Sequence, residues 1–308
     1  MANTINTSRF YFEYKGHKIT DITTFFNIAT AQRPETPVVY LAGDSSLDNK
    51  YWLPSTSPGS QDAVPLASVP EIYKLVLQKP YPKADVAFWL NHVLGARVTT
   101  LNLAVEASLL RERHGSALLA HDEFIRDRIT PRDILIVSVG GNDIAMKPTA
   151  WTVLHMLWLA WLTPLSSLRS GRAWALRYFI GLFKTQTENY IAKLVANHKP
   201  RAVIVCMIYH PLESQAGLAP SWADKALTAL GYNKQPERLQ AGIEQMYEQA
   251  TRNIEIDGVP VKAFDHAGDD AGGAQDLDGV VEDGEVALRG IVPPVAGRQV
   301  VGWVLGFL

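Results

Sequence analysis

Apolar runs of strand length recur along the chain at Pro37–Ala42, Val98–Ala104, Asp133–Val139, Ala202–Ile208 and Val259–Phe264. The first four are dense in Val, Ile, Leu and Thr or aromatic residues and barely alternate with polar ones, the pattern of strands buried on both faces. Segments of helical character separate them. The spacing predicts helices over Ala84–Leu94, leading to the second strand, His121–Arg128, leading to the third, Gln186–Asn197, leading to the fourth, and Pro236–Ile254, leading to the fifth. A series of this kind dictates right-handed crossovers and helices on both sheet faces. The expected fold is a three-layer α/β/α sandwich around a mainly parallel five-stranded sheet.

The regions outside this series have their own patterns. Residues 9–35 read as an N-terminal extension, with a short strand around Phe10, Tyr11, Phe12 and Tyr14 and a helix over Thr23–Ala31 that together cover the sheet edge. Lys50–Pro82 is rich in Ser, Pro and Gly and reads as a long loop around a short helix starting after Pro70. A loop of that length can border a substrate pocket.

Between Thr149 and Phe183 lies an insertion in which Trp151–Leu162 is apolar on nearly all sides and ends before Pro164. With Trp174 it holds four of the eight tryptophans. The run is shorter than the roughly 20 residues needed to cross a bilayer. Two readings remain: a helix packed on the core, or a lid whose Trp and Leu meet acyl chains while Arg169, Arg172 and Arg177 face headgroups.

Composition narrows the picture further. A chain of 308 residues with 47% hydrophobic content supports one large domain, taken as residues 36–308 with the insertion at about 149–183, behind the extension at 1–35. A net charge of -2 gives no electrostatic reason to expect nucleic acid. Cys206 is the single cysteine and lies inside the fourth strand run, so no disulfide within the chain and no cysteine metal cluster can form. The N-terminus lacks a charged start followed by an apolar stretch, so a cytoplasmic or other intracellular location is expected, with peripheral membrane contact through 151–183 under the lid reading.

The chemistry sits where the strands end. The first run stops at Gly43-Asp44-Ser45-Ser46-Leu47-Asp48-Asn49, and the third at Gly140-Gly141-Asn142-Asp143. Both are small, polar, turn-forming groups, and in an open parallel sheet both fall on the edge where ligands bind. A serine hydroxyl can attack a carbonyl there, and a carboxamide N–H can stabilise the oxyanion that develops. Gly-Asp-Ser-Ser alone would also serve as a helix N-cap. The two groups together favour acyl transfer.

These blocks, with Asn102 through Ala107 between them, resemble the SGNH/GDSL family of serine hydrolases in order and spacing. The resemblance implies Ser45 as nucleophile and an oxyanion hole made by the Ser45 N–H, the N–H near Ala107 and the Asn142 side chain. It further implies an acyl ester substrate, no cofactor or metal, and a pocket to which Asp44 and Gly141 contribute; the lid reading adds Trp158 and Trp161 to that pocket. The family usually carries glycine where Ala107 stands.

A serine needs a base, normally a histidine oriented by a carboxylate. The family places an Asp-x-x-His block before a final helix, which here is Val295–Trp303, and Arg289–Pro294 before it contains no histidine. Two histidines follow strand runs on the correct edge: His266 with Asp265 after the fifth, and His210 after the fourth. Glu282, Asp283 and Glu285 could substitute only weakly, because an ordinary carboxylate is a poor base toward serine.

Other motifs fail. The acidic, glycine-rich stretch 265–285 does not match a calcium loop, since Glu282 at the twelfth position puts Ala271 at the first. Neither nucleotide-binding glycine motif is present, nor His-Glu-x-x-His. The alternatives to an esterase are a catalytically silent protein that keeps the pocket for a lipid, glycan or acylated ligand, and a membrane-surface protein anchored by Trp151–Trp174.

Overall fold

The computed structural model describes residues 4–60, 63–208, 210 and 224–264, with side chains in the last segment described from residue 227 onward. The five apolar runs become strands β1 (Val38–Gly43), β2 (Thr99–Asn102), β3 (Ile134–Ser138), β4 (Ala202–Cys206) and β5 (Val261–Phe264). They form one parallel sheet in the order β2-β1-β3-β4-β5. The fold is therefore α/β with a five-stranded parallel sheet, as the alternation of runs and helices predicts.

Strand residues divide strictly by parity. Tyr40 and Ala42 of β1, Leu135 and Val137 of β3, and Val203 and Val205 of β4 face the larger core. Val39 and Leu41, Ile134 and Ile136, and Ile204 and Cys206 face the other, smaller core. Both sets are buried because both sheet faces are covered, which is why the runs show no alternation of apolar and polar residues.

The helices are α1 (Thr7–Phe12), α2 (Ile19–Gln32), α3 (Glu71–Val76), α4 (Val86–Leu94), α5 (Ala120–Arg128), α6 (Gly141–Ala145), α7 (Ala150–Leu157), α8 (Leu165–Arg169), α9 (Leu176–Ile180), α10 (Thr187–Leu194), α11 (Asp224–Ala229) and α12 (Pro236–Gln249). Ile22 and Phe25 of α2, Phe124 and Ile125 of α5, Phe179 of α9, Ile191 of α10 and Met246 of α12 pack on the larger core. Ala87, Leu90 and Leu94 of α4 pack on the smaller one.

Two local expectations change. The segment around Phe10 is a helix, not a strand: the Asn6 side chain caps it by accepting from the Arg9 N–H, and Phe10 and Tyr11 turn inward. Aromatic content suggested a strand, but a good N-cap and burial against α2 outweigh that weak preference. The Trp151–Leu162 run is also not a buried helix. It continues from α7 into a π-helical turn, Trp158–Leu162, and Trp151, Leu154, Leu157, Trp158, Trp161 and Leu162 are all exposed.

What holds this insertion is polar as much as apolar. Arg238 of α12 donates to the Thr163 and Leu159 carbonyls, while Gln245 and Gln249 donate to the Arg169 and Gly171 carbonyls. These bonds satisfy carbonyls freed where the short helices end. Among the described residues, no helix is long and apolar enough to cross a membrane.

Candidate active site

The chain leaves β1 toward β2 on one side and returns to β3 on the other, so direction reverses between β1 and β3. At such a switch point the two C-terminal loops diverge and leave a crevice. Ser45 follows β1, and Asn142 follows β3.

The β1 exit depends on Gly43. Its φ is +150°, and a Cβ added there would stand 1.9 Å from the Ser138 carbonyl oxygen. This close approach brings the two strands' exits together, and Asp44 N–H donates to the same carbonyl at 3.1 Å. Gly140 begins the β3 exit in the left-handed region at φ +96°, with Phe183 packed where a side chain would go.

Ser45 is half-buried and its Oγ donates to Asn142 Oδ1 at 3.5 Å, a long contact between residues 97 apart in sequence. Asn142 is buried, and its Nδ2 donates to the Ser108 carbonyl at 3.0 Å. A carbonyl only accepts, which fixes the amide's orientation; the second Nδ2 hydrogen is left over. The backbone N–H groups of Ser45 and Ala107 have no acceptor among the described residues.

Ala107 has φ +60° and is, among the described residues, the one non-glycine with positive φ. An L-residue pays roughly 1–2 kcal/mol for that conformation. Alanine here thus holds a left-handed backbone conformation at some strain.

Loops around the site are locked by buried polar groups. Asp48 Oδ2 accepts from the Gly16 and Glu106 N–H groups at 2.9 and 2.8 Å, and Oδ1 pairs with Lys50 at 2.5 Å with both side chains fully enclosed. Asn102 bridges Leu47 and Ala104, and Asp143 accepts from the Leu110 and Arg111 N–H groups. Burial pushes the Asp44 carboxyl up to about 6, although the Ser46 N–H and hydroxyl both donate to it.

Arg113, which sequence reasoning passed over, is the hub of this arrangement. Wholly buried, it donates to Asp122 Oδ2 at 2.9 Å, to Ser108 Oγ and the Leu109 carbonyl at 3.1 Å, and to the Gly43 carbonyl at 3.2 Å. It therefore ties the loops after β1 and β2 to α5. Nothing in the local sequence Leu110–His114 marks it, since an Arg beside Glu112 reads as a solvated face.

The remaining predicted site residues fall in three groups. Ile208, beyond β4, lies 3.5 Å from where a Gly141 Cβ would be, so the β4 exit borders the Asn142 turn. Two residues later, half-buried His210 has an enclosed Nε2 that makes no hydrogen bond among the described residues. Trp158 packs edge-on against Trp174, and Trp161 donates to the Ala229 carbonyl and packs on Gly231. Asp265, His266, the acidic stretch to Glu285 and the Val295–Trp303 segment lie outside the described residues. Among those described, no cluster of His, Cys, Asp and Glu could hold a metal ion.

No protein-family model matches the chain, and no curated protein matches it significantly. Two of the solved structures similar to it are hydrolases. One is an extracellular lipase from Streptomyces rimosus, 11% identical over 74% of this chain and 80% of the lipase, with a TM-score of 0.33. The other is a carbohydrate acetylesterase from Sinorhizobium meliloti, 14% identical over 74% of this chain and 84% of that one, with a TM-score of 0.31. At such scores the likeness carries no weight for the chemistry of this chain.

Proposed function

We propose that the protein is an SGNH-type hydrolase that cleaves an acyl ester through an acyl-Ser45 intermediate. The observation that carries this reading is the 3.5 Å contact of the Ser45 hydroxyl with Asn142 across the sheet's switch point; the Ser45 N–H, the Ala107 N–H and the second Asn142 Nδ2 hydrogen have no acceptor among the described residues and are the three donors the reading assigns. That is the donor set an oxyanion needs. Ser45 attacks the ester carbonyl, the alkoxide of the alcohol leaves with a proton from the base, and water then hydrolyses the acyl-serine.

The base in this reading is an imidazole, either His266, with Asp265 to orient it, or His210, whose enclosed Nε2 makes no hydrogen bond among the described residues. Covalent labelling with a fluorophosphonate tests the proposal. The folded protein should be labelled, Ser45→Ala should abolish labelling, and one of His266→Ala and His210→Ala should reduce it strongly while the other does little. Absence of labelling together with absence of ester hydrolysis across short and long acyl chains would refute the hydrolase reading and leave the silent binding protein.

Apolar acyl groups are the substrate class we assign. α7 and its π turn carry exposed apolar residues, Trp161 among them at 61%, and the rest of the same insertion carries exposed Arg169, Arg172 and Arg177. Tryptophan with a basic rim suits a lipid surface. Replacing Trp158 and Trp161 with Ser should weaken co-sedimentation with anionic liposomes and reduce the preference for long acyl chains; unchanged behaviour in both assays would remove the lid role.

A further inference from the structure

The 3₁₀ turn Lys50–Trp52, a few residues beyond Ser45, carries two aromatic rings outward, and a third comes from the loop between α1 and α2. Tyr14, Tyr51 and Trp52 are mutually perpendicular, each pair at 84°, with centroid separations of 5.1 Å (Tyr14–Tyr51), 5.2 Å (Tyr51–Trp52) and 6.1 Å (Tyr14–Trp52). Perpendicular rings at that spacing meet edge to face and form one aromatic cluster. All three remain exposed, Trp52 by 66%, so they are not packed away as an ordinary hydrophobic contact would be.

Beside the rings sits Glu106, 3% exposed, with its Oε2 enclosed and without a hydrogen-bond partner among the described residues. The Trp52 side chain hydrogen-bonds the carboxyl and favours its charged form, and the Glu106 charge acts on the Tyr14 phenol, so the carboxyl lies beside the rings. The neighbouring cations are committed elsewhere. Lys50 pairs with Asp48, and Lys83 donates to the Lys50 and Tyr51 carbonyls while its ammonium lies over Phe12. A buried carboxyl oxygen without a donor costs stability unless something supplies the missing charge.

We infer that Tyr14, Tyr51, Trp52 and Glu106 form a binding site for a small alkylammonium cation of the quaternary kind. Ring faces attract such a cation, whose methyl groups have no hydrogen to donate and are held by π faces and a nearby anion. A hard divalent metal would need six or more oxygen ligands and is not served by one carboxyl among rings. The site stands apart from the hydrolase reading, since it rests on none of Ser45, Asn142 or the base.

Occupancy should depend on pH. Burial, reinforced by Asp48, raises the Glu106 carboxyl to about 7, while Trp52 and Lys50 oppose the rise and Asp44 adds to it. Tyr14, Tyr51, Lys83, Asp85, His17 and His121 are the other titratable groups coupled to this cluster, through Glu106, Tyr14, Lys50 and Asp48. The cation therefore binds more tightly above neutrality, where Glu106 is ionised.

Calorimetric titration with tetramethylammonium chloride tests the inference, with sodium chloride and tert-butanol as the ionic and neutral controls. Saturable binding of tetramethylammonium alone is expected, tighter at pH 8 than at pH 6, and weakened roughly 10-fold by Trp52→Ala and by Glu106→Gln. Equal response to tert-butanol, absence of saturable heat, or unchanged affinity in Trp52→Ala would overturn it. Should Glu106→Gln fail to fold, Trp52→Ala decides the matter, because that side chain is exposed and can be removed without opening the core.

Discussion

Replacing Arg113 with Met should destabilise the fold far more than a single contact would suggest. The guanidinium and the Asp122 carboxylate are both fully enclosed and meet at 2.9 Å. Asp122 also accepts from the Leu119 N–H at 2.9 Å and from the Tyr190 hydroxyl at 2.6 Å. Methionine matches the length of the Arg stem but strands Asp122 as a buried charge with two neutral donors. Breaking a buried pair in this way costs about 3–5 kcal/mol.

The Gly43 carbonyl loses one donor but keeps the Val105 N–H and Ser108 Oγ, so little further loss is expected at the β1 exit. Equilibrium urea unfolding followed by circular dichroism reads the change. Combining Arg113→Met with Asp122→Asn removes the stranded charge and should recover about 2 kcal/mol relative to additivity. A single-variant loss below about 1 kcal/mol, or strictly additive losses in the double variant, would refute the reasoning that this pair is a closed charge network.

Gly43→Ala should yield insoluble protein or a loss above about 4 kcal/mol, since its Cβ would fall 1.9 Å from the Ser138 oxygen; near-normal urea stability would contradict that geometry. Asn142→Ala should lower kcat roughly 100–1,000-fold by removing an oxyanion donor. Its stability cost should be only about 1–3 kcal/mol, for the Ser108 carbonyl left unpaired; equal effects on turnover and folding would make Asn142 a turn residue only. Asp44 rises from 3.8 to about 6 on folding, so the native state holds its proton where the unfolded chain has lost it, and stability from this group falls as pH rises through that window. Asp44→Asn should therefore gain about 2.4 kcal/mol on the wild type between pH 4 and pH 8 by urea unfolding, and a pH-independent difference would refute the shift.

Much of the architecture is a property of local sequence. A run such as Ile134–Ser138 can only be a strand buried on both faces, and the glycines at 43 and 140 are required by backbone approach and by positive φ at the two exits. Those constraints act over a few residues, so they are written in the chain and placed Ser45 and Asn142 on one edge before any coordinates. Around α1 the local signal was ambiguous, because aromatic residues suit a strand and a capped helix alike.

Pairings across long stretches of chain were decided by tertiary structure alone. Arg113 became the buried hub only because α5 brings Asp122 to it and β1 brings the Gly43 carbonyl. Tyr14 meets Trp52 and Glu106 only because the N-terminal segment folds over the loops beyond β1 and β2. The Trp151–Leu162 run, apolar on every side, gave no indication of which face would stay open; that was set by where α12 anchors the insertion through Arg238. Periodicity records the burial a residue prefers, whereas desolvation and charge pairing depend on which distant groups arrive beside it, and only the folded chain brings them there.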